Sequence, residues 1–160
     1  MLKRVISVLV AFLVIGSSLV NNTSVVASQL GHAFKVPTNE AEVKIKKEID
    51  QKINAFRATV NQDVSNSFGL NLESYSEINY KEILSGQHDE LKKAFFEVVV
   101  TQKPGDVMPS VFINNSQNEG YILEKKANGT SVIYTLKKDG SSWVIVSQDM
   151  KPGKYIEPPK

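Results

Sequence analysis

The chain has 160 residues and no cysteine, which excludes disulfide bonds and leaves a hydrophobic core to stabilise any folded domain. Its formal net charge of +2 depends on Lys3 and Arg4, because residues 5–160 hold 17 basic and 17 acidic residues. A chain without a positive field does not attract nucleic acid, so we expect no nucleic-acid partner.

The first 27 residues have the order of a secretory signal peptide. Lys3 and Arg4 precede an apolar run over residues 5–20, and the segment ends with Val25 and Ala27 at the positions that a signal peptidase reads. We therefore predict a secreted or cell-envelope-associated protein, and its cysteine-free, Asn- and Lys-rich composition suggests a Gram-positive bacterium. Membrane association is expected only if this segment stays uncleaved and spans a thinned bilayer.

Beyond the signal peptide at residues 1–27, the sequence divides into a flexible leader (28–38), one α+β domain (39–150) and a Pro-containing tail (151–160). A helix is predicted from the start of the domain to about residue 61. Such an amphipathic helix requires a surface to pack against. Its apolar side chains recur every three or four positions on one face: Ile45, Ile49, Ile53, Phe56 and Val60.

The middle of the chain has weaker patterns. A polar, turn-rich connection is predicted for residues 61–76, and a helical turn for Tyr80–Leu84. A short helix should follow over residues 87–95, because apolar residues there recur at helical spacing. The β-branched run that comes next favours a strand over residues 96–101.

The last third has the turns of an antiparallel β-meander. Asn128–Gly129 and Asp139–Gly140 are dipeptides that suit two-residue hairpin loops. The predicted fold is therefore α+β, with a long N-terminal amphipathic helix and short helices packed on a curved antiparallel meander. The strands of this meander are expected at residues 111–113, 120–126, 130–137 and 141–150.

Two-residue loops at both turns fix which side chains share a face of the meander. One face is expected to pack on the first helix: Tyr121, Leu123, Val132, Tyr134, Leu136, Trp143 and Ile145. If the sheet curves away from the helix, four aromatic side chains become the walls of a candidate pocket: Phe56, Tyr121, Tyr134 and Trp143. The alternative is an ordinary aromatic core in which these side chains are simply buried.

The other face of the meander is less polar than a solvated face should be. It would hold four aliphatic residues: Ile122, Ile133, Val144 and Val146. Because contiguous exposed apolar surface marks contacts, these residues form a candidate interface with a protein partner or in a homodimer. The alternative is that the 96–101 region, a loop or a further helix covers them.

No catalytic or cofactor-binding pattern is present. The chain lacks a nucleophile elbow and a phosphate-binding glycine loop, and neither His32 nor His88 has neighbours at ligand spacing. We therefore predict no catalytic residue, no metal site and no cofactor. A carboxylate tuned by burial leaves no such pattern, and the acids nearest apolar sequence are Glu73, Glu77 and Glu97.

The hairpin over residues 136–145 reads Leu-Lys-Lys-Asp-Gly-Ser-Ser-Trp-Val-Ile. This strand, Asp-Gly turn and Trp-containing strand resemble the close of many exported bacterial members of the nuclear transport factor 2-like (cystatin-like) superfamily. The order of elements over residues 39–150 is also similar. The resemblance implies a fold but no single function, since the superfamily includes pocket enzymes, ligand binders and noncatalytic assembly domains.

The leading hypothesis is a secreted, noncatalytic module that binds a protein or small ligand at the cell envelope. One alternative is a small-pocket enzyme that uses a buried carboxylate near Tyr134 and Trp143. A second alternative is a membrane-anchored assembly component of a secretion or conjugation machine, which requires residues 1–27 to stay attached. An ionisable group inside an open aromatic cavity would favour the enzyme.

Overall fold

The structure, a computed structural model, describes residues 40–159. The predictions of a signal peptide and a leader, with His32, lie outside the described residues. In chain order the helices and strands are α1 (Glu40–Phe68), β1 (Ser76–Ile78), α2 (Tyr80–Leu84), α3 (Asp89–Val99), β2 (Val107–Asn114), β3 (Glu119–Lys125), β4 (Ser131–Asp139) and β5 (Ser142–Lys151).

The five strands form one antiparallel sheet in the order β1-β2-β3-β4-β5, so each strand pairs with its neighbours in sequence. Helices plus this sheet confirm the α+β class and the antiparallel meander. Successive side chains of a strand point to opposite faces. In β2, β3 and β4 both faces are buried, which requires a covering layer on each side.

The sheet separates two hydrophobic cores. Against α2 and α3 it buries a large cluster: Ile83, Leu91, Ala94, Phe95, Val98, Val111, Ile113, Ile122, Val132, Tyr134, Leu136 and Trp143. Against α1 it buries a smaller one: Phe56, Val60, Val64, Phe112, Leu123 and Ile133. We call these the α3 core and the α1 core. Both helical layers are needed, because the central strands are apolar on each face.

The short helices show packing prevailing over local propensity. The helical turn predicted at Tyr80–Leu84 is confirmed as α2. The strand predicted for residues 96–101 is wrong, because α3 continues to Val99. Helical winding lets one face of α3 pack on the sheet, and this burial outweighs the β propensity of the valines. The buried side chains on that face are Leu91, Ala94, Phe95 and Val98.

Helix α1 ends at Phe68, beyond the end predicted near residue 61. Val60 and Val64 lie four positions apart on the same face, and both are buried in the α1 core. Phe68 continues this row and packs against the same core. The polar residues between them had indicated a turn-rich connection, but the apolar row extends the helix.

The β3–β4 register differs from the prediction. Leu123 pairs with Ile133 rather than with Tyr134, because the loop is one residue longer than expected. The Lys126 amide donates a hydrogen bond to the Thr130 carbonyl, so three residues lie between the paired ends, and the Gly129 amide donates to the Lys126 carbonyl. Gly129 is the last of these three, with φ of +87°, which fits a type I turn followed by a G1 bulge.

The β4–β5 pairing is shifted by two residues, because the two-residue loop lies one position further along the chain than predicted. Asp139 pairs with Ser142, so the two loop residues are Gly140 and Ser141 rather than Asp139 and Gly140. Gly140 has φ of +58° at the first loop position, which a type II′ turn reserves for glycine. As a result, Leu136 pairs with Ile145 and not with Trp143.

As a result of these registers, the seven residues predicted to pack together on the first helix lie on two opposite faces of the sheet. Tyr121 and Leu123 do pack in the α1 core. The remaining five residues belong to the α3 core instead: Val132, Tyr134, Leu136, Trp143 and Ile145. A shift of one residue in strand pairing moves side chains to the opposite face. The extra residue in the β3–β4 loop therefore places β4 and β5 side chains on the α3 side rather than the α1 side.

One buried charge links α1 to the sheet. Lys125 on β3 is 2% exposed, and its ammonium group donates hydrogen bonds to the Asp63 carboxylate and the Ser131 hydroxyl. A buried ammonium group is stable only with such partners. Asp63 lies on α1 and Ser131 on β4, so this single side chain joins three elements.

Residues 152–159, within the predicted Pro-containing tail (151–160), have no regular secondary structure. Ile156 packs against the α1 core. Strand β5 continues to Lys151, whose ammonium group donates a hydrogen bond to the Ser67 carbonyl near the end of α1. The C-terminal segment therefore contributes to the α1 side of the fold.

Candidate functional site

The four side chains of the predicted pocket lie in two different cores. Phe56 and Tyr121 pack in the α1 core, whereas Tyr134 and Trp143 lie in the α3 core. The sheet stands between the two pairs, so they do not line one cavity. This corrects the predicted pocket and matches the alternative of an ordinary aromatic core.

The four aliphatic residues of the predicted interface are divided as well. Ile122 is buried beneath α3, and Ile133 is buried against α1. Val144 is half-buried, and Val146 is 54% exposed at the bulge between β4 and β5. The chain's own helices therefore cover the first two residues, which do not share an exposed face. A contact with a protein partner or a second copy stays a prediction.

A cleft opens on the α3 side of the sheet, between the C-terminal end of α3 and strands β4 and β5. Its volume is about 400 Å³, within the range of about 300–1,000 Å³ that small-ligand sites occupy. The lining residues come from a helix, two loops and two strands: Glu97, Thr101, Lys126, Tyr134, Ile145 and Gln148. Only Tyr134 among them belonged to the predicted pocket.

A buried carboxylate lies next to this cleft. The Glu124 side chain on β3 is 0% exposed, and it accepts hydrogen bonds from three side chains. Lys126 Nζ lies 2.8 Å and Gln102 Nε2 3.1 Å from Oε1, and the Tyr134 hydroxyl lies 3.0 Å from Oε2. Both carboxylate oxygens are therefore occupied, and two of the three donors also line the cleft.

Lys126 is shared with a second buried carboxylate. Its ammonium group lies 3.4 Å from Asp106, whose side chain is 4% exposed just before β2. Asp106 also accepts hydrogen bonds from the backbone amides of Lys103 and Ala127. Over residues 40–159, every buried side-chain nitrogen and oxygen has a partner. The buried polar network beneath the cleft is thus fully hydrogen-bonded.

The Tyr134 hydroxyl is held in its protonated form. Burial raises the pKa of this phenol above its usual value of 10.0, and the negative charge of Glu124 raises the pKa further. A neutral phenol donates its proton to the Glu124 carboxylate. The two groups therefore form a fixed donor–acceptor pair at neutral pH.

This raised pKa predicts a loss of stability at high pH. The unfolded phenol ionises near pH 10 while the folded one stays neutral, so the stabilisation is complete below pH 10 and declines as the pH rises toward the folded pKa. We expect the unfolding free energy of wild type to fall more steeply above pH 10 than that of Tyr134→Phe, by at most about 1.4 kcal/mol per pH unit. Urea unfolding at several alkaline pH values measures both slopes. Parallel slopes would contradict the raised pKa.

Sequence reasoning missed Glu124, Gln102 and Asp106, because charged and amide side chains are usually exposed. The length of the β3–β4 loop could have indicated this site, because it decides whether Glu124 and Tyr134 share a face of the sheet. With the three-residue loop, Glu124 lies on the same face as Ile122 and next to the position of Tyr134. The two-residue loop predicted there concealed this arrangement.

The other residues singled out in the sequence have local partners. His88, at the start of α3, contacts the Glu90 carboxylate at 3.0 Å and the Glu82 carboxylate at 3.6 Å. Glu77 pairs with Arg57 at 3.3 Å. Only Glu97, among the three acids near apolar sequence, lines the cleft.

Comparisons with known proteins give no relative for this chain. No protein-family model, no curated protein and no solved structure matches it. Between residues 40 and 159, no three acidic or histidine side chains converge as a metal site requires. None of the helices in that same stretch is long and apolar enough to cross a bilayer.

Proposed function

We propose that this chain is an exported, noncatalytic module that binds a small ligand in the cleft between α3 and the sheet. The cleft of about 400 Å³ is the observation on which this proposal depends. Its lining is mostly polar, and Ile145 contributes an aliphatic side chain. The signal-like residues 1–27 support export.

The occupied oxygens of Glu124 favour binding over catalysis. A general base needs an oxygen within hydrogen-bond reach of its substrate. Here Lys126 and Tyr134 donate to Glu124 and themselves line the cleft. A bound molecule therefore meets the Lys126 ammonium group and the Tyr134 oxygen, which can only accept because its one proton is donated to Glu124, while the carboxylate fixes their orientation. This arrangement supports a preorganised binding surface.

Filling the cleft should abolish ligand binding while the protein stays folded. Gln148 is exposed on β5 and lines the cleft, so Gln148→Trp places an indole ring in the cavity. Compounds that bind the full chain in an NMR screen of small polar molecules should bind this variant at least about tenfold more weakly. Amide spectra of the variant check that the fold is retained.

The neighbouring position supplies the matched control. Ser147 is also exposed on β5, but it pairs with Thr135 and points to the other face of the sheet. Ser147→Trp should therefore leave binding unchanged. Equal effects of the two tryptophans, or a screen that yields no compound bound in the cleft, would contradict the proposed function.

The finer description of the fold belongs to the same proposal. We propose that α1 is amphipathic over its length and that the chain resembles the nuclear transport factor 2-like superfamily at the level of fold. Burial of Phe56, Val60 and Val64 along one row supports the first statement for the second half of α1, whereas Ile45 in the first half is 37% exposed. The sequential antiparallel order of the strands supports the second. Ligand binders in that superfamily agree with a cleft site.

A further inference from the structure

Strand β5 forms one edge of the sheet, and its outer backbone groups have no partner within the described part of the chain. Its inner groups pair with β4, and no other backbone hydrogen bond within residues 40–159 reaches residues 142–151. A row of unpaired N–H and C=O groups is a template for a further strand. The outer edge of β5 can therefore pair with another chain.

The opposite edge of the sheet is protected by its short length. Strand β1 has three residues, Ser76–Ile78, and α2 begins at Tyr80. Such a short strand offers few groups to a further strand, which is a common way to protect an edge. In contrast, β5 has ten residues, and its charged side chains, Asp149 and Lys151, lie near its end. Of the two edges, β5 is the one suited to pairing.

The second half of β5 is exposed on both faces of the sheet. Every residue from 146 to 151 is exposed, including two large apolar ones, Val146 at 54% and Met150 at 64%. Gln148 between them pairs with Tyr134 of the α3 core. Side chains alternate along a strand, so Val146 and Met150 lie on the same face as Gln148. Exposed apolar side chains therefore accompany the unpaired edge, which favours association.

We propose that two copies of this chain associate through their β5 edges and form one continuous sheet. The two β5 strands run antiparallel and are related by a two-fold axis perpendicular to the sheet, so every contact occurs twice. The paired segment spans residues 146–151, because the bulge lies at its start and Pro152 follows its end. This inference goes beyond the proposed function and does not depend on ligand binding in the cleft.

The register that suits this segment best has Gln148 on the two-fold axis. Val146 then lies opposite Met150 of the second copy, so the exposed apolar side chains cover each other. Ser147 lies opposite Asp149 of the second copy, and no two like charges meet. This self-complementarity favours a second copy over an unrelated strand as the partner.

The neighbouring registers are less favourable. With Asp149 on the axis, the Asp149 carboxylates of the two copies face each other, and like charges directly opposite destabilise a strand pair. With Ser147 on the axis, Val146 lies opposite Gln148, and the pairing runs into the bulge. The charges and the bulge therefore both select the register centred on Gln148.

Association should depend on protein concentration. Six residues per copy bury less surface than the roughly 1,200 Å² of a standard interface, so the dimer is weak. We expect sedimentation velocity of the full chain to show monomer at about 10 μM and a growing dimer fraction toward about 1 mM. Over the same range, the outer amides of residues 146–151 should become protected from hydrogen exchange, because they gain carbonyl partners.

Opposite charges at Ser147 test the partner and the register together. Ser147→Lys places an ammonium group opposite Asp149 of the second copy, so the dimer should form about threefold to tenfold more tightly. Ser147→Asp places a carboxylate there, so the dimer should form at least about threefold more weakly. Ser147 is exposed and does not line the cleft, so both variants should keep the fold and bind small ligands as wild type does.

The matched control is a serine on the other edge. Ser76 is exposed on β1, so Ser76→Lys and Ser76→Asp change the charge of the chain by the same amounts. Both variants should leave the monomer–dimer equilibrium unchanged.

Four results would overturn the pairing of two copies through β5. A chain that stays monomeric over the whole concentration range would leave the edge to a strand of another protein. Equal or reversed effects of Ser147→Lys and Ser147→Asp would exclude the register centred on Gln148. Equal changes in the Ser76 variants would show a general effect of charge. Outer β5 amides already protected at the lowest concentration would show that another part of the same chain covers the edge.

Discussion

Replacement of Glu124 by alanine should lower the free energy of unfolding by about 3–5 kcal/mol. The carboxylate is fully buried and accepts hydrogen bonds from Gln102, Lys126 and Tyr134. Its removal leaves the Tyr134 hydroxyl without this acceptor and leaves Lys126 with Asp106 as its remaining carboxylate. Each buried polar group that loses its partner costs about 1–3 kcal/mol. Urea unfolding of variant and wild type measures the difference.

Two further glutamate variants separate charge from position. Glu124→Gln keeps the size of the side chain but replaces one accepting oxygen by a donor, so we expect a loss of about 1–3 kcal/mol. Glu119→Gln, on the same strand, removes an ion pair with Lys137 whose side chains are 24% and 49% exposed. It should cost less than about 1 kcal/mol. Equal losses for Glu124→Ala and Glu119→Gln would contradict the buried network.

Truncation of Phe95 to alanine should also destabilise the protein by about 3–5 kcal/mol. Phe95 is 1% exposed and packs in the α3 core between the helix and the sheet. Its removal loses buried apolar area and leaves a cavity that the surrounding side chains only partly fill. Thermal and urea unfolding at neutral pH both report this loss.

The next residue in sequence is a control of identical chemistry. Phe96 is 38% exposed and touches Phe95 only by an edge contact, with ring centroids 6.2 Å apart. Phe96→Ala should therefore cost less than about 1 kcal/mol. A larger loss for Phe96 than for Phe95 would mean that α3 packs on the sheet through a different face.

Sequence patterns predicted which helices and strands form better than they predicted the register in which the strands pair. The α2 turn and strands β2 to β5 were found because their local signals and their packing agree, whereas β1 was not predicted. In α3 the local signal and the packing disagree. The valines favour a strand, but only a helix brings Leu91, Ala94 and Phe95 together against the sheet. Tertiary burial decides such cases, and a single sequence contains no record of it.

The loops explain why the candidate site was not predicted. Asn128–Gly129 and Asp139–Gly140 mark the correct hairpins, but the same dipeptides fit loops of two or three residues. That difference of one residue decides whether Glu124 points toward Tyr134 or away from it. The cleft further depends on where α3 lies across the sheet, which no local pattern in residues 89–99 specifies.

The most direct test of the ligand-binding cleft is an amide chemical-shift map of the full chain, recorded while it is screened with small polar compounds. We expect bound compounds to shift the amides of Thr101, Lys126, Tyr134 and Gln148 together, with little change along α1. Shifts confined to α1, or to the exposed residues Val146 and Met150 on β5, would contradict a ligand site in the cleft and point to a different binding surface.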